Sequence, residues 1–64
     1  MNVRVYLAGY RNGQRLAGRP GVVPRKRYDD PYLVSLGAND YASGFEDGWH
    51  GRTQSVAGPL EQGP

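Results

Sequence analysis

Aromatic residues and glycines recur with helical spacing in two stretches of the chain. Residues 6–13 read Tyr-x-x-Gly-Tyr-x-Asn-Gly, and residues 41–48 read Tyr-x-x-Gly-Phe-x-Asp-Gly, so matching positions lie 35 apart. The shared positions i, i+3, i+4 and i+7 fall on one face of an α-helix. A glycine inside a helix costs about 1 kcal/mol relative to alanine. Two glycines on each matched face therefore predict two helices that cross at close range.

The first of these stretches has a competing interpretation as a β-hairpin. Residues 3–7, Val-Arg-Val-Tyr-Leu, have an aliphatic side chain at every second position, as in a β-strand. Asn12-Gly13 is a strong signal for a type I′ hairpin turn. The helical spacing, however, recurs at the second site without any hairpin partner. This recurrence favours a helix over residues 2–17, with the hairpin as the alternative.

Glycine and proline predict where the first helix stops. Residues 18–21, Gly-Arg-Pro-Gly, combine a residue suited to the position after a helix with a proline that cannot continue it. Pro20, Pro24 and Pro31 each fix φ and favour an extended conformation in the preceding residue. The sequence thus predicts a semi-rigid connector over residues 18–31.

The second helix is expected to follow a short turn or half-helix at residues 32–37. Asn39 or Asp40 is a suitable N-cap, and the helix then runs to about Arg52, with a glycine just before that residue marking its end. Residues 53–64 lack periodicity and aromatic anchors, which predicts a mobile tail.

These elements predict one small all-α domain over residues 1–52. We expect a two-helix hairpin with a long ordered Pro/Gly-rich connector and a disordered C-terminal tail. A chain of 64 residues buries only about 60% of its unfolded surface, so its core is marginal. Modest stability is expected, and a homodimer or another partner would raise it.

Charge divides the chain into two unlike halves. Residues 1–27 carry seven basic side chains and no acid, or +7; residues 28–64 carry six acids and one arginine, or −5, and the two sum to the net charge of +2. Such polarity favours a basic face for phosphate and an acidic face toward solvent or another protein. The alternative is that the halves pack together and neutralise each other.

Basic side chains interleaved with tyrosines are typical of a nucleic-acid interface. Guanidinium groups pair with phosphate, and aromatic rings stack on unpaired bases. The alternative is a solvated loop whose tyrosines belong to the core. The predicted RNA-binding residues are Arg11, Arg15, Arg19, Arg25, Lys26, Arg27, Tyr28 and Tyr32.

The acidic second helix supports a different hypothesis, a protein–protein interaction module. Glu46 and Asp47 lie too far along the helix to be stabilised by its N-terminal dipole, which predicts a solvated face. Such a face can engage a basic protein partner. Under this alternative the partner-binding residues are Glu46, Asp47 and Trp49.

The remaining composition argues against several functional classes. The chain has no cysteine, so disulfides, zinc–thiolate sites and cysteine nucleophiles are excluded, and a reducing cytoplasm is the expected location. No apolar run approaches the roughly 20 residues needed to span a bilayer. His50, the one histidine, is expected to lie at the surface. We therefore expect no enzyme activity, cofactor, metal site or membrane association.

Several short motifs resemble those of the ribosome modulation factor family. Pro31-Tyr32 is followed nine residues later by Tyr41-Ala-Ser-Gly-Phe45, and Gly9-Tyr-Arg-Asn-Gly13 and Gly18-Arg19 look like the family's N-terminal motif. The resemblance spans residues 6–52. The chain departs from the family's pattern in having Asp30 at a cysteine position, Tyr41 and Phe45 in place of tryptophans, and a longer connector.

The resemblance implies a small two-helix protein that binds ribosomal RNA and promotes inactive ribosome dimers. It implies that Tyr10, Tyr32, Tyr41 and Phe45 are core or RNA-contact rings, and that Arg11, Arg19 and residues 25–27 bind phosphate. Family members also occur in phages and mobile elements, so the resemblance leaves inhibition of a host protein as an alternative function. One plasmid-borne relative is described as a quinolone-modifying enzyme, which adds an enzymatic alternative.

Overall fold

Three helices form the described part of the protein, and the two long ones pack against each other. The computed structural model describes residues 1–24 and 27–55. The helices are α1 (Val3–Leu16), α2 (Pro31–Ser35) and α3 (Ala38–Trp49). No strand occurs in these described ranges. The predicted all-α fold, with two long helices and a long connector, is confirmed.

Helix α1 is capped at its start by a side chain. The Asn2 carboxamide oxygen accepts a hydrogen bond from the Val5 amide at 3.2 Å, which satisfies one of the four free N–H groups of the first turn. The helix runs through Asn12 and Gly13 without a turn and ends at Leu16. The β-hairpin alternative for this stretch is therefore wrong.

Helix α2 is a single turn whose start follows from an Asp-Pro pair. The Asp30 carboxylate accepts from the Tyr32 amide at 2.8 Å, and Pro31 occupies the first helical position, where its missing N–H costs nothing. This turn corresponds to the half-helix expected near residues 32–37.

Gly37 joins α2 directly to α3 and is the N-cap of α3. Its φ of 88° is a left-handed conformation that glycine adopts without strain. Because this junction leaves no loop before Ala38, Asn39 and Asp40 lie inside the helix. The prediction that one of them is the N-cap is wrong.

The end of α3 is a Schellman motif that places Arg52 beside the helix. Gly51 has a φ of 69°, the Arg52 amide donates to the Asp47 carbonyl at 2.8 Å, and the Gly51 amide donates to the Gly48 carbonyl at 3.1 Å. The last helical residue is Trp49. The helix thus ends three residues before the predicted Arg52, because the chain reverses at the glycine.

The contact between α1 and α3 depends on four glycines that bring the two backbones together. A Cβ atom built on any of them would lie 1.9–2.2 Å from a backbone carbonyl oxygen of the opposite helix. At each site, the hydrogen that stands in for a side chain therefore faces that oxygen, a geometry in which Cα–H···O contacts form. The four residues are Gly9, Gly13, Gly44 and Gly48.

The order of these contacts shows that the two long helices run in the same direction. Gly9 faces the Tyr41 carbonyl and the Phe45 amide, and Gly13, one turn later, faces the Phe45 carbonyl and the Trp49 amide. Both chains therefore advance together along the contact. A parallel pair cannot be joined by a tight loop, since the chain must return about 21 Å, the length of 14 helical residues. The long connector makes this return.

The two copies of the sequence motif contact each other reciprocally. The Tyr6 hydroxyl donates to the Asp47 carboxylate at 2.5 Å, and the Asn12 carboxamide donates to the Tyr41 hydroxyl at 2.7 Å. In each case the first tyrosine of one copy meets the Asn or Asp position of the other. The repeat in the sequence is thus a near-twofold relation between two helices.

A Gly44→Ala substitution separates helix propensity from packing, since the two predict changes of opposite sign in the free energy of unfolding. Propensity alone would stabilise the protein by about 1 kcal/mol. The added Cβ would instead lie 1.9 Å from the Tyr6 carbonyl oxygen, so we expect destabilisation of about 3 kcal/mol or more. Urea unfolding followed by circular dichroism measures the change.

The matched control is Ala8→Gly on the exposed face of α1. It alters propensity alone and should destabilise the protein by about 1 kcal/mol. A Gly44→Ala protein as stable as the wild type would contradict the close backbone contact.

Candidate nucleic-acid interface

The outward face of α1 carries a line of arginines, which we call the basic ridge. Arg4, Arg11 and Arg15 are exposed, and their spacings of seven and four place them on one side of the helix. The buried side of α1 consists of Tyr6, Gly9, Tyr10 and Gly13. At 100° per residue the ridge is opposite this buried side, so it points away from α3.

The charges of the two halves do not neutralise each other through direct contacts in the described ranges. The ion pairs found there join Arg52 to Glu46 at 3.2 Å and to Asp47 at 3.3 Å, all within the acidic half. Arg15 donates to the Asn12 carboxamide oxygen at 3.2 Å and pairs with no acid among the described residues. The basic ridge is therefore available to an external anion.

The connector is held against α3 by an asparagine clamp. The Tyr28 amide donates to the Asn39 carboxamide oxygen at 2.7 Å, and the Asn39 carboxamide nitrogen donates to the Tyr28 carbonyl at 2.8 Å. The Arg27 guanidinium donates to the Asn39 backbone carbonyl at 3.0 Å. These three bonds fix the path of the connector, and they explain why the asparagine serves as a clamp and not as a cap.

Next to the clamp, an open groove of about 560 Å³ lies between the connector, the end of α1 and α3. Phe45, only 3% exposed, and Tyr41 lie on the α3 side, with ring centroids 6.2 Å apart and stacked at 29°. The groove is lined by Leu16, Gly21, Val22, Val23, Pro24, Arg27, Tyr28, Tyr41 and Phe45. Among the described residues, the lining holds one cation and no carboxylate.

A chain of hydrogen bonds connects this groove to the basic ridge. Arg15 donates to Asn12, and Asn12 donates to the hydroxyl of Tyr41, which lines the groove. Arg27 lies on the connector side of the same groove. The groove therefore has one arginine in its described lining and a second, Arg15, linked to the lining through Asn12 and Tyr41.

The predicted RNA-binding residues that the structure describes lie at four places in the fold. Arg11 and Arg15 belong to the basic ridge, Arg27 and Tyr28 line the groove, and Arg19 is exposed in the connector. Tyr32 is 70% exposed on α2 and is absent from the groove lining. The remaining two, Arg25 and Lys26, lie outside the described residues.

Sequence reasoning missed the groove and the two asparagines that organise it. The sequence predicts Asn12 as part of a possible turn and Asn39 as a possible helix cap. The available signal for Asn12 is its match to Asp47 in the repeat, since a polar position shared by both copies of a packing motif indicates a contact between them. No comparable signal indicated that Asn39 binds the connector.

Asp47, one of the three partner-binding candidates, is part of an internal network. Its carboxylate accepts from the Tyr6 hydroxyl at 2.5 Å and from the Ser55 hydroxyl at 2.9 Å, and the Ser55 amide donates to the Tyr6 hydroxyl at 2.9 Å. Asp47 is half-buried. The expectation of a solvated face is wrong for this residue, because it faces the tyrosine of the opposite helix.

The other two partner-binding candidates lie beside this network. Glu46 is exposed and pairs with Arg52, while the half-buried Trp49 stacks on Phe45 with ring centroids 6.1 Å apart. His50 is exposed, as expected. The hydrogen bonds of Ser55 show that contacts with the helix pair extend past residue 52, and residues 56–64 of the predicted tail lie outside the described ranges.

The network shifts the pKa values of both of its acidic groups. Burial and then the bond to Asp47 raise the pKa of Tyr6 above 10.0. Burial alone would raise the pKa of Asp47, but the hydrogen bonds from Tyr6, Ser55 and Arg52 outweigh it and hold that pKa below 3.8. The neutral tyrosine and the ionised carboxylate are thus the forms that the fold favours.

Comparisons of this chain with protein-family models, with curated proteins and with solved structures find no match. Across residues 1–24 and 27–55, no helix has the length and apolar character required to cross a bilayer. Function must therefore be argued from the ridge and the groove.

The network predicts that the free energy of unfolding is highest over a middle range of pH and falls toward both extremes. We call these two falls the acidic limb and the alkaline limb. Stability from Asp47 is present above its ordinary pKa of 3.8 and is lost as the pH falls through the lowered value. Stability from Tyr6 is present below pH 10.0 and is lost as the pH rises through its raised pKa. Urea unfolding at a series of pH values measures both limbs.

Tyr6→Phe should lower the free energy of unfolding by about 1.5–3 kcal/mol at neutral pH, because a hydrogen bond to a charged group is lost. It should also remove the part of the alkaline limb that belongs to Tyr6. Tyr32→Phe, at a ring that is 70% exposed, is the control and should change neither quantity. An unchanged alkaline limb in Tyr6→Phe would contradict the assignment.

Proposed function

We propose that this chain is a small regulatory protein that binds RNA, with the ribosome as its target, and acts by occluding the site it covers. The observation that carries the proposal is the basic ridge of α1, which is exposed and faces away from α3. Its charges have no acidic partner among the described residues. Such a surface favours a polyanion.

The ridge suits contact with a phosphate backbone. Arg11 and Arg15 are four residues apart, or about 6 Å along the helix, and Arg4 lies about 10 Å before Arg11. Guanidinium groups form paired hydrogen bonds to phosphate oxygens, and these contacts position a protein on nucleic acid without reading its sequence. These contacts between arginines and phosphates would supply the bulk of the affinity for RNA, as is general for nucleic-acid binding.

Binding without catalysis agrees with how the ionisable groups are used. Asp47 and Tyr6 are engaged with each other and with Ser55, and Glu46 with Arg52. Each of these groups therefore stabilises the fold. The resemblance to the ribosome modulation factor family points to the same class of function.

The protein-partner hypothesis has less support from these contacts. It required Glu46 and Asp47 to form a free acidic surface beside Trp49. Asp47 is bound to Tyr6, and the exposed Glu46 is paired with an arginine of the same chain. An acidic surface that is already paired attracts a basic partner less strongly.

Replacing the basic side chains should abolish association with ribosomes. We expect the double variant Arg11→Gln/Arg15→Gln, and the triple variant in which Arg25, Lys26 and Arg27 become Ala, to be lost from the ribosome pellet in co-sedimentation. With single-stranded RNA, the slope of log affinity against log salt should fall by about 0.7 for each phosphate contact removed.

Arg52→Gln is the matched control, since it removes one positive charge from the acidic half of the chain. It should leave the salt slope unchanged. If the double variant and the triple variant both sediment with ribosomes as the wild type does, the proposal is overturned. Recovery of one protein from a lysate, resistant to nuclease, would instead favour the protein-partner hypothesis.

A further inference from the structure

The groove beneath the connector has the properties of a site for a flat, anionic ligand. Its volume of about 560 Å³ lies within the range of about 300–1,000 Å³ that is usual for small-molecule sites. Three aromatic rings line it, from Tyr28 on the connector and from Tyr41 and Phe45 on α3. An apolar, ring-lined groove of this size suits a planar group.

The charges around the groove select the sign of the ligand. Arg27 lines it, with its guanidinium oriented by the bond to the Asn39 carbonyl. Arg15 approaches from the ridge through Asn12 and Tyr41. With Arg27 in the described lining, Arg15 linked to it through hydrogen bonds and no acid among the described lining residues, the groove is complementary to a ligand that carries negative charge beside its planar part.

A nucleotide has both parts, and an RNA strand lying on the ridge would bring one to the groove. We propose that the groove receives an unpaired RNA base, which stacks on Tyr28 while Arg27 and Arg15 contact the flanking phosphates. This inference rests on the proposed RNA binding, and it adds that single-stranded RNA is preferred over duplex. Paired bases are already stacked and cannot enter.

The clamp makes the base-binding ring separable from the fold. The bonds between residue 28 and Asn39 use the backbone of residue 28, so its ring can be replaced while the clamp is kept. Tyr28→Leu removes the stacking surface and retains apolar bulk. Tyr28→Phe retains the ring and is the matched control.

The experiment measures binding of a fluorescein-labelled ten-nucleotide single-stranded RNA and of a duplex of the same length by anisotropy. Wild type and Tyr28→Phe should bind the single strand more tightly than the duplex. Tyr28→Leu should lose about 5- to 150-fold for the single strand, the usual effect of one lost base stack. Its salt slope should not change, because no phosphate contact is removed.

The possible outcomes distinguish the groove from the ridge. If Tyr28→Leu binds the single strand as tightly as wild type, with the steep salt dependence intact, the groove assignment is overturned and RNA binding stands. If wild type binds neither RNA, both fail.

A second measurement tests the groove directly with adenosine monophosphate as the probe, followed by NMR. Shifts of the Tyr28, Tyr41 and Phe45 ring resonances in the wild type, with those of Tyr41 and Phe45 lost in Tyr28→Leu, would support the assignment. A ten-residue polyglutamate that produces the same shifts would overturn it in favour of an acidic peptide.

Discussion

The close backbone contact between α1 and α3 is the constraint on which the rest of the structure depends. Four glycines place the two helices so near each other that no larger residue fits at their crossing. Among the described residues, the buried hydrophobic core consists of Tyr6, Tyr10, Ala42 and Phe45, so little apolar area is removed from water. Close approach compensates by bringing the rings and backbones of both helices into dense contact.

The parallel direction of the helices determines where function can reside. Because the connector must return to the start of the helix pair, it crosses one side of the molecule, and the asparagine clamp holds it there over an open groove. On another side, Ser55 bonds to Tyr6 and Asp47. The outward face of α1 carries the exposed side chains of Arg4, Arg11 and Arg15. The fold thus separates an acidic, internally paired region from a basic, available one.

The sequence predicted the parts of this fold that depend on local chemistry and periodicity. The helical spacing of Gly9, Gly13 and their counterparts indicated two crossing helices, and Gly51 marked the end of the second. The direction of the crossing was not predictable, since the same glycine spacing serves parallel and antiparallel pairs. Asn39 was misassigned because a cap and a tertiary clamp use the same side chain, and the groove depends on that tertiary bond.

Nuclear Overhauser effects between backbone protons measure whether α1 and α3 cross in parallel through their glycines. We expect the Gly9 α-protons to show effects to residues 41 and 45, and those of Gly13 to show effects to residues 45 and 49. An antiparallel crossing would reverse this order along α3. Effects from Gly9 to residue 49 and from Gly13 to residue 41, or none between the helices, would contradict the account.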